Sequence, residues 1–299
     1  INIAFLEQYF ATTKWHKFML INGDQGARAD RFAIGGAVFQ QMPIMLPLQP
    51  EQTKIGELFQ KLDRAIELQQ QKVEQSERYK KAMLQKMFPQ KGETKPQLRF
   101  EGFSGEWEKS KLGQLVAIFR VLVYKPENVV RDGSADSIRV LRSSNIDEDV
   151  LVLREDDVFV QSDAVNIENV KQGDILITAA NGSSRLVGKH AVIKESLAKT
   201  VHGGFMLIAR TDFPYFINAW MGAVEYQKML QLAQGGNGAI GNLSKKILDN
   251  CEITLPKDIE EQTKIGEFFQ ALDERIEVET KTLNHYESLK KAMLQRMFV

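Results

Sequence analysis

Gly236, Gly238 and Gly241 stand in the order G-x-G-x-x-G. With that spacing a strand-to-helix turn can bring backbone N–H groups against a dinucleotide or adenosyl group. Such a turn needs a preceding strand and a βαβ unit of about thirty residues around it. Here the glycines follow a stretch with helical spacing, YFINAWMGAVEYQKMLQ at 215–231. They therefore read as a loop whose bare backbone can approach another molecule closely. The sequence holds no GKS or GKT phosphate loop, no H-E-x-x-H and no Asn-Pro-Pro or Asp-Pro-Pro step. His16, His190, His202 and His285 are scattered, and the acidic runs at 147–149 and 155–157 read as solvated turns rather than metal ligands. Cys251, the single cysteine, reads as a small buried hydrophobe and excludes an internal disulfide framework. No catalytic residue, cofactor or metal site is expected.

Positively charged and amide side chains offer a different chemistry. The chain carries 39 Lys plus Arg against 39 Asp plus Glu, so it is no wholesale polycation. The charge is segregated, however: residues 99–170 hold 9 basic and 14 acidic side chains, and residues 171–246 hold 9 basic and 4 acidic. In the later segment, NGSSRLVGKH at 181–190 and GNLSKK at 241–246 mix basic residues with small polar ones. Lys and Arg can meet phosphates, and Asn, Ser and Arg on loops can read base edges. The candidate DNA-binding residues are Asn181, Ser183, Ser184, Arg185, Lys189, Asn237, Asn242, Lys245 and Lys246. The competing reading of these residues is solvated loops near a neutral surface.

The elements that would position them are organised by an internal repeat. Residues 51–88 return at 261–298, shifted by 210, with 22 of 38 positions identical. In the second copy Ile265, Phe269, Leu272, Ile276, Leu283, Tyr286, Met293 and Met297 follow steps of three and four, interrupted at Glu279 and Lys290. The first copy repeats the stripe with Ile55, Phe59, Leu62, Ile66, Val73, Met83 and Met87, with Gln69, Ser76 and Lys80 on it. This is a heptad seam. Asp258 followed by Glu261 resembles a capping box, and Pro50 suits a first helical turn. The two copies are expected to pair as an antiparallel coiled coil; the other reading is ordinary core helices of a helical domain. The polar seam residues either fix register or mark imperfect packing. A second strip, Leu58, Leu84 and Phe88 with Phe268, Leu294 and Phe298, offers a partner protein a surface.

Similarity extends upstream, where Gln25, Gly26 and Pro47 align with Gln234, Gly235 and Pro256. Residues 1–46 thus read as the C-terminal remnant of a domain and 47–88 as the first long helix. Residues 89–106 form a Pro- and Gly-containing linker, 97–255 a complete globular domain and 256–299 the second long helix. The globular domain has short β-rich runs at 115–119, 137–146, 174–180 and 204–210. The fold class is α+β, with a mixed or curved sheet and two long helices. No apolar run approaches the roughly 20 residues of a membrane span, and the expected location is the cytoplasm.

The repeated EQTKIGEFFQALDERI and KKAMLQRMF segments, the linker QLRFEGFSGEWEKSKLGQLV and the KQGDILITAANGSS stretch resemble the specificity subunit of type I restriction-modification systems. That resemblance implies two target recognition domains, each reading half of a split DNA sequence, joined by two long helices as a spacer. It implies double-stranded DNA as ligand, with methyltransferase and restriction/translocase subunits as partners that supply all the chemistry. It also implies a shortened first recognition domain here, and a homodimer if the shortened form is native. A coiled-coil protein-interaction scaffold without DNA binding is the competing class. A methyltransferase fused to its own reader is disfavoured by the missing cofactor motifs.

Overall fold

A computed structural model describes residues 1–25, 32–90, 92–119, 121–131, 136–233 and 242–298. The chain divides into two compact units, residues 1–76 with 276–299, and residues 77–275. Two 39-residue helices, Gln49–Met87 and Ile259–Met297, contribute to both.

In the first unit, short helices α1 (Ile3–Phe10) and α2 (His16–Asn22) precede a two-stranded ladder of β1 (Asp24–Gln25) and β2 (Phe32–Ala33). The short α3 (Gly36–Phe39) follows, and then α4 (Gln49–Met87) begins, with Pro50 in its first turn. Asn2 caps α1 by accepting a hydrogen bond from Phe5 N at 3.1 Å. Phe5, Tyr9, Met42, Ile55, Phe59 and Phe298 form the buried core of this unit.

The second unit holds the β-rich domain. Its strands are β3 (Glu108–Lys111), β4 (Ala117–Phe119), β5 (Val129–Val130), β6 (Ser137–Leu141), β7 (Ile146–Asp147), β8 (Val150–Leu151) and β9 (Val158–Gln161). They continue with β10 (Ile175–Thr178), β11 (His190–Val192), β12 (Thr200–His202) and β13 (Met206–Arg210). Helices α5 (Pro214–Gly222), α6 (Val224–Ala233) and α7 (Lys245–Asn250) lead to β14 (Glu252–Leu255) and α8 (Ile259–Met297). One sheet runs β11-β10-β13-β4, all antiparallel; the other runs β12-β6-β9-β5, with β12 and β6 parallel. The second of these is the mixed sheet expected from the sequence. Ile175, Ile177, Leu176 and Ile208 are buried because β10 and β13 are covered on both faces.

The two long helices pair antiparallel in each unit, and the contacts recur. Phe59 meets Phe298 with ring centroids 6.1 Å apart, and their counterparts Phe269 and Phe88 meet at 6.0 Å. Lys290 pairs with Asp63 at 2.5 Å, and Lys80 with Asp273 at 2.6 Å. Gln52 and Gln262 donate to the carbonyls of Pro47 and Pro256. A Cβ on Gly56 would lie 2.9 Å from Ala4, and one on Gly266 would lie 2.8 Å from the Phe216 nitrogen, so both glycines admit a crossing helix at backbone distance. Gln69 Nε2 donates to the Glu279 carbonyl at 3.0 Å and Ser76 Oγ to its carboxylate at 2.7 Å. These polar seam residues specify register rather than mark loose packing.

Three expectations need correction. Asp258 does start α8, accepting from Glu260 N at 2.8 Å, but Glu261 does not reach back to it. Glu261 is fully buried and takes a bidentate pair from Arg99, at 2.6 and 2.7 Å. The second apolar strip is largely covered: Leu84, Phe88 and Phe298 are buried within their own units, because the helices at 214–222 and 3–10 pack over them. In the run at 155–157, Glu155 and Asp156 do form an exposed turn, but Asp157 does not share it. The Asp157 side chain is buried and binds Arg139 at 2.8 Å and Asn145 at 2.6 Å.

Lys80 has a second partner, Asp149 in the turn between β7 and β8, at 2.7 Å. Burial alone would lower the Lys80 pKa, but Asp149 and Asp273 overcome that and raise it. Burial holds the Asp273 pKa up in spite of Lys80, whereas Asp149, despite its own desolvation, is lowered by Lys80, His190 and Lys189. A raised lysine pKa contributes stability in full below the unfolded value of about 10.4 and loses it as pH rises through the folded value. Lys80→Met is expected to destabilise by about 1 kcal/mol at pH 7, because it strands Asp273, the half-exposed Asp149 adding little. Lys290→Met, with one half-exposed partner, is expected to cost about 0.5 kcal/mol. Denaturant unfolding checks both, and the Lys80 difference should shrink above pH about 10.4.

Candidate nucleic-acid interface

The second unit sorts its arginines into two classes. Arg139 is tied to buried Asp157, and Arg99 to buried Glu261. Arg210 holds Asp174 through two bonds of 2.6 and 2.8 Å and covers the Phe119 ring at 4.3 Å. Arg154 lies 3.6 Å from Asp147. In each case a carboxylate neutralises the cation. Arg131, Arg142 and Arg185 differ, because all three are exposed and among the described residues none forms an ion pair. Cations left without acids in a folded protein remain available to phosphates or base edges.

Arg142 lies on a groove of about 930 Å³ assembled from four separated segments of the chain. Residues 122–129, 142–143, 180–182 and 203–206 supply its walls, with Val158 of β9. The walls are fastened by backbone hydrogen bonds. Leu122 N donates to His202 O at 3.2 Å, Gly203 N to Leu141 O at 2.9 Å, and Ala179 N to Phe205 O at 2.8 Å. A Cβ at Gly203 would stand 2.9 Å from Val140 Cγ1, so the turn before β13 closes onto β6 only with glycine there.

Of the residues the sequence singled out, the structure brings Asn181 onto this groove and Asn242 beside it. Asn181 lines it, donating to Ser143 Oγ at 2.9 Å and accepting from Ser183 N at 2.9 Å. Asn242 bridges to Ala180, placing it beside Asn181. Ser184 and Arg185 follow on a single 3-10 turn, Ser184–Leu186. Lys245 and Lys246 open α7 behind its Ser244 cap, where Lys245 Nζ donates to the Ile118 carbonyl at 2.9 Å and Lys246 is exposed. Lys189 stands apart, half-buried and close enough to Asp149 to lower its pKa. Asn237 and the glycines at 236–241 lie outside the described residues.

Sequence reasoning missed Arg142, Ser143, Tyr124 and Phe205. Arg142 falls in the acidic half of the domain, where summed charge hid it, and the only local signal was the Gly203–Gly204 pair before Phe205. Cys251 is buried as expected. Burial first, then Glu225 and Glu252, push its thiol up to about 12, so it carries no thiolate at neutral pH.

Residues 104–287 match the family model described as type I restriction modification DNA specificity domain. Among solved structures, the S subunit of a type I restriction-modification system from M. genitalium aligns with TM-score 0.68 and 13% identity, over 100% of this chain and 73% of that one. A chain from a structure addressing complex assembly and conformational transition of the type I R-M system aligns with TM-score 0.58 and 16% identity, over 98% and 70%. At such identities the likeness is one of fold.

The two classes of arginine should separate on mutation. Arg139→Ala is expected to destabilise by about 3 kcal/mol, leaving Asp157 buried and unpaired. Arg142→Ala and Arg185→Ala should each stay within about 0.5 kcal/mol of the parent in a denaturant melt.

Proposed function

The chain belongs to the type I restriction-modification DNA specificity family, and from that premise we propose that residues 97–255 read one half of a bipartite DNA target. The observation that carries this reading is the groove that Arg142 and Asn181 both line, with Asn242 bridged to the adjoining Ala180, while Arg139 and Arg210 are spent on internal carboxylates. Arginine and asparagine are the side chains whose donors and acceptors match guanine and adenine in the major groove. Arg185 and Lys246 supply the phosphate contacts that hold register.

Residues 1–46 are the C-terminal part of a second reader of the same kind. Phe5 packs on Phe298 at 5.1 Å as Phe216 packs on Phe88 at 5.8 Å, and Gly56 and Gly266 admit α1 and α5 alike. The paired long helices act as the spacer, each 39 residues or about 58 Å at 1.5 Å per residue. The chain contributes recognition and no catalysis. Methyltransferase and restriction/translocase subunits do the chemistry. A subunit working on cellular DNA acts in the cytoplasm.

Inserting one heptad in both helices preserves the seam and adds about 10.5 Å, close to three base pairs. Methylation mapping of cells carrying the complete system tests this. The inserted variant should prefer a longer spacer between the same base motifs, or lose modification because the half-sites rotate about the DNA axis. New base motifs with an unchanged spacer would contradict the division of labour.

A further inference from the structure

Phe205 presents an anomaly that the reading above does not use. Its backbone is immobilised: the carbonyl accepts from Ala179 N at 2.8 Å and Ala180 N at 3.2 Å, and Met206 N closes the turn onto Gly203 O at 3.0 Å. Its ring is 70% exposed, and Val123, on the same groove, is 79% exposed. A large apolar side chain held in water on a fixed turn gives up the stabilisation that burial would bring. Together with Val123 and half-buried Tyr124 it forms an apolar surface within the groove.

Asn181 faces the same groove with its amide orientation fixed. The Ser183 N–H can donate only to the carbonyl oxygen, so Oδ1 and Nδ2 cannot exchange places. With Ser143 Oγ taking one amide hydrogen, Asn181 retains one N–H and one oxygen lone pair. An acceptor and a donor side by side are what adenine offers at N7 and N6, and a methyl group beside them is what thymine offers.

We propose that this groove reads an A·T base pair or step in the major groove, with Asn181 on adenine and Phe205 on the thymine C5-methyl. The assignment rests on the DNA-reading role argued above and adds to it the identity of one position. Arg142, exposed on the same wall, provides the positive charge that brings a polyanion to an otherwise apolar surface.

The test uses the specificity chain assembled with its methyltransferase partners and duplexes carrying the mapped target. In the half-site assigned to residues 97–255, each thymine is replaced in turn by uracil, which pairs identically and lacks the methyl. One such replacement should weaken binding about fourfold, the worth of one buried methyl. Phe205→Ala should bind the thymine and uracil duplexes equally, and Phe205→Leu should restore the preference for thymine. Asn181→Ala should relax selectivity at an A·T position. The proposal is overturned if no uracil replacement matters, if Phe205→Ala keeps the full thymine preference, or if the half-site contains no A·T pair. Sequence-specific binding that survives those results would leave the wider reading standing. A complex that binds all duplexes alike would remove both.

Discussion

Two copies of one helical sequence pairing antiparallel impose the constraint from which most of this structure follows. When a helix meets its own repeat running the other way, any complementary pair of positions along it generates the same contact twice. Asp63 with Lys290 and Asp273 with Lys80 are one such pair used in both units, and Phe59 with Phe298 and Phe269 with Phe88 are another. Each ion pair is modest, yet a slip of one heptad would separate aspartate from lysine and break both aromatic contacts, so register is specified by agreement among weak terms. The pairing thereby fixes where each globular segment is attached.

The β-rich domain is joined to this framework by buried charge as well as by its core. Arg99 grips Glu261 at the start of α8, and Lys80 gathers Asp149 of the β7–β8 turn with Asp273. Buried ion pairs add little net stability but penalise any arrangement that parts them. Residues 142, 181 and 205 sit on loops next to β6, β10 and β13, each paired with a strand on both sides, so these side chains can change without altering the sheets.

Much of the architecture was legible in the sequence because it depends on local periodicity. The heptad stripe announces α4 and α8, and the Gly- and Asn-punctuated apolar runs announce β6, β10 and β13. What escaped depends on contacts between residues remote in the chain. Asp157 looked solvated because its partner Arg139 lies 18 positions away on another strand. Leu84 and Phe88 looked available to a partner because the helix that covers them, α5, comes more than 120 residues later. The candidate interface was half visible: Asn181, Ser183, Arg185 and Asn242 carry local signals of polarity and turn chemistry. Arg142 and Phe205 become site residues only when four segments converge.

Separation of recognition from spacing is the central claim, and it is tested most directly by exchanging residues 97–255 for the corresponding domain of a family member with a known target, then mapping methylation in cells carrying the complete system. The account predicts that one half-site takes on the donor's bases while the other half-site and the spacer stay as they were. A chimera that kept both original half-sites, or that changed the spacer instead, would contradict it.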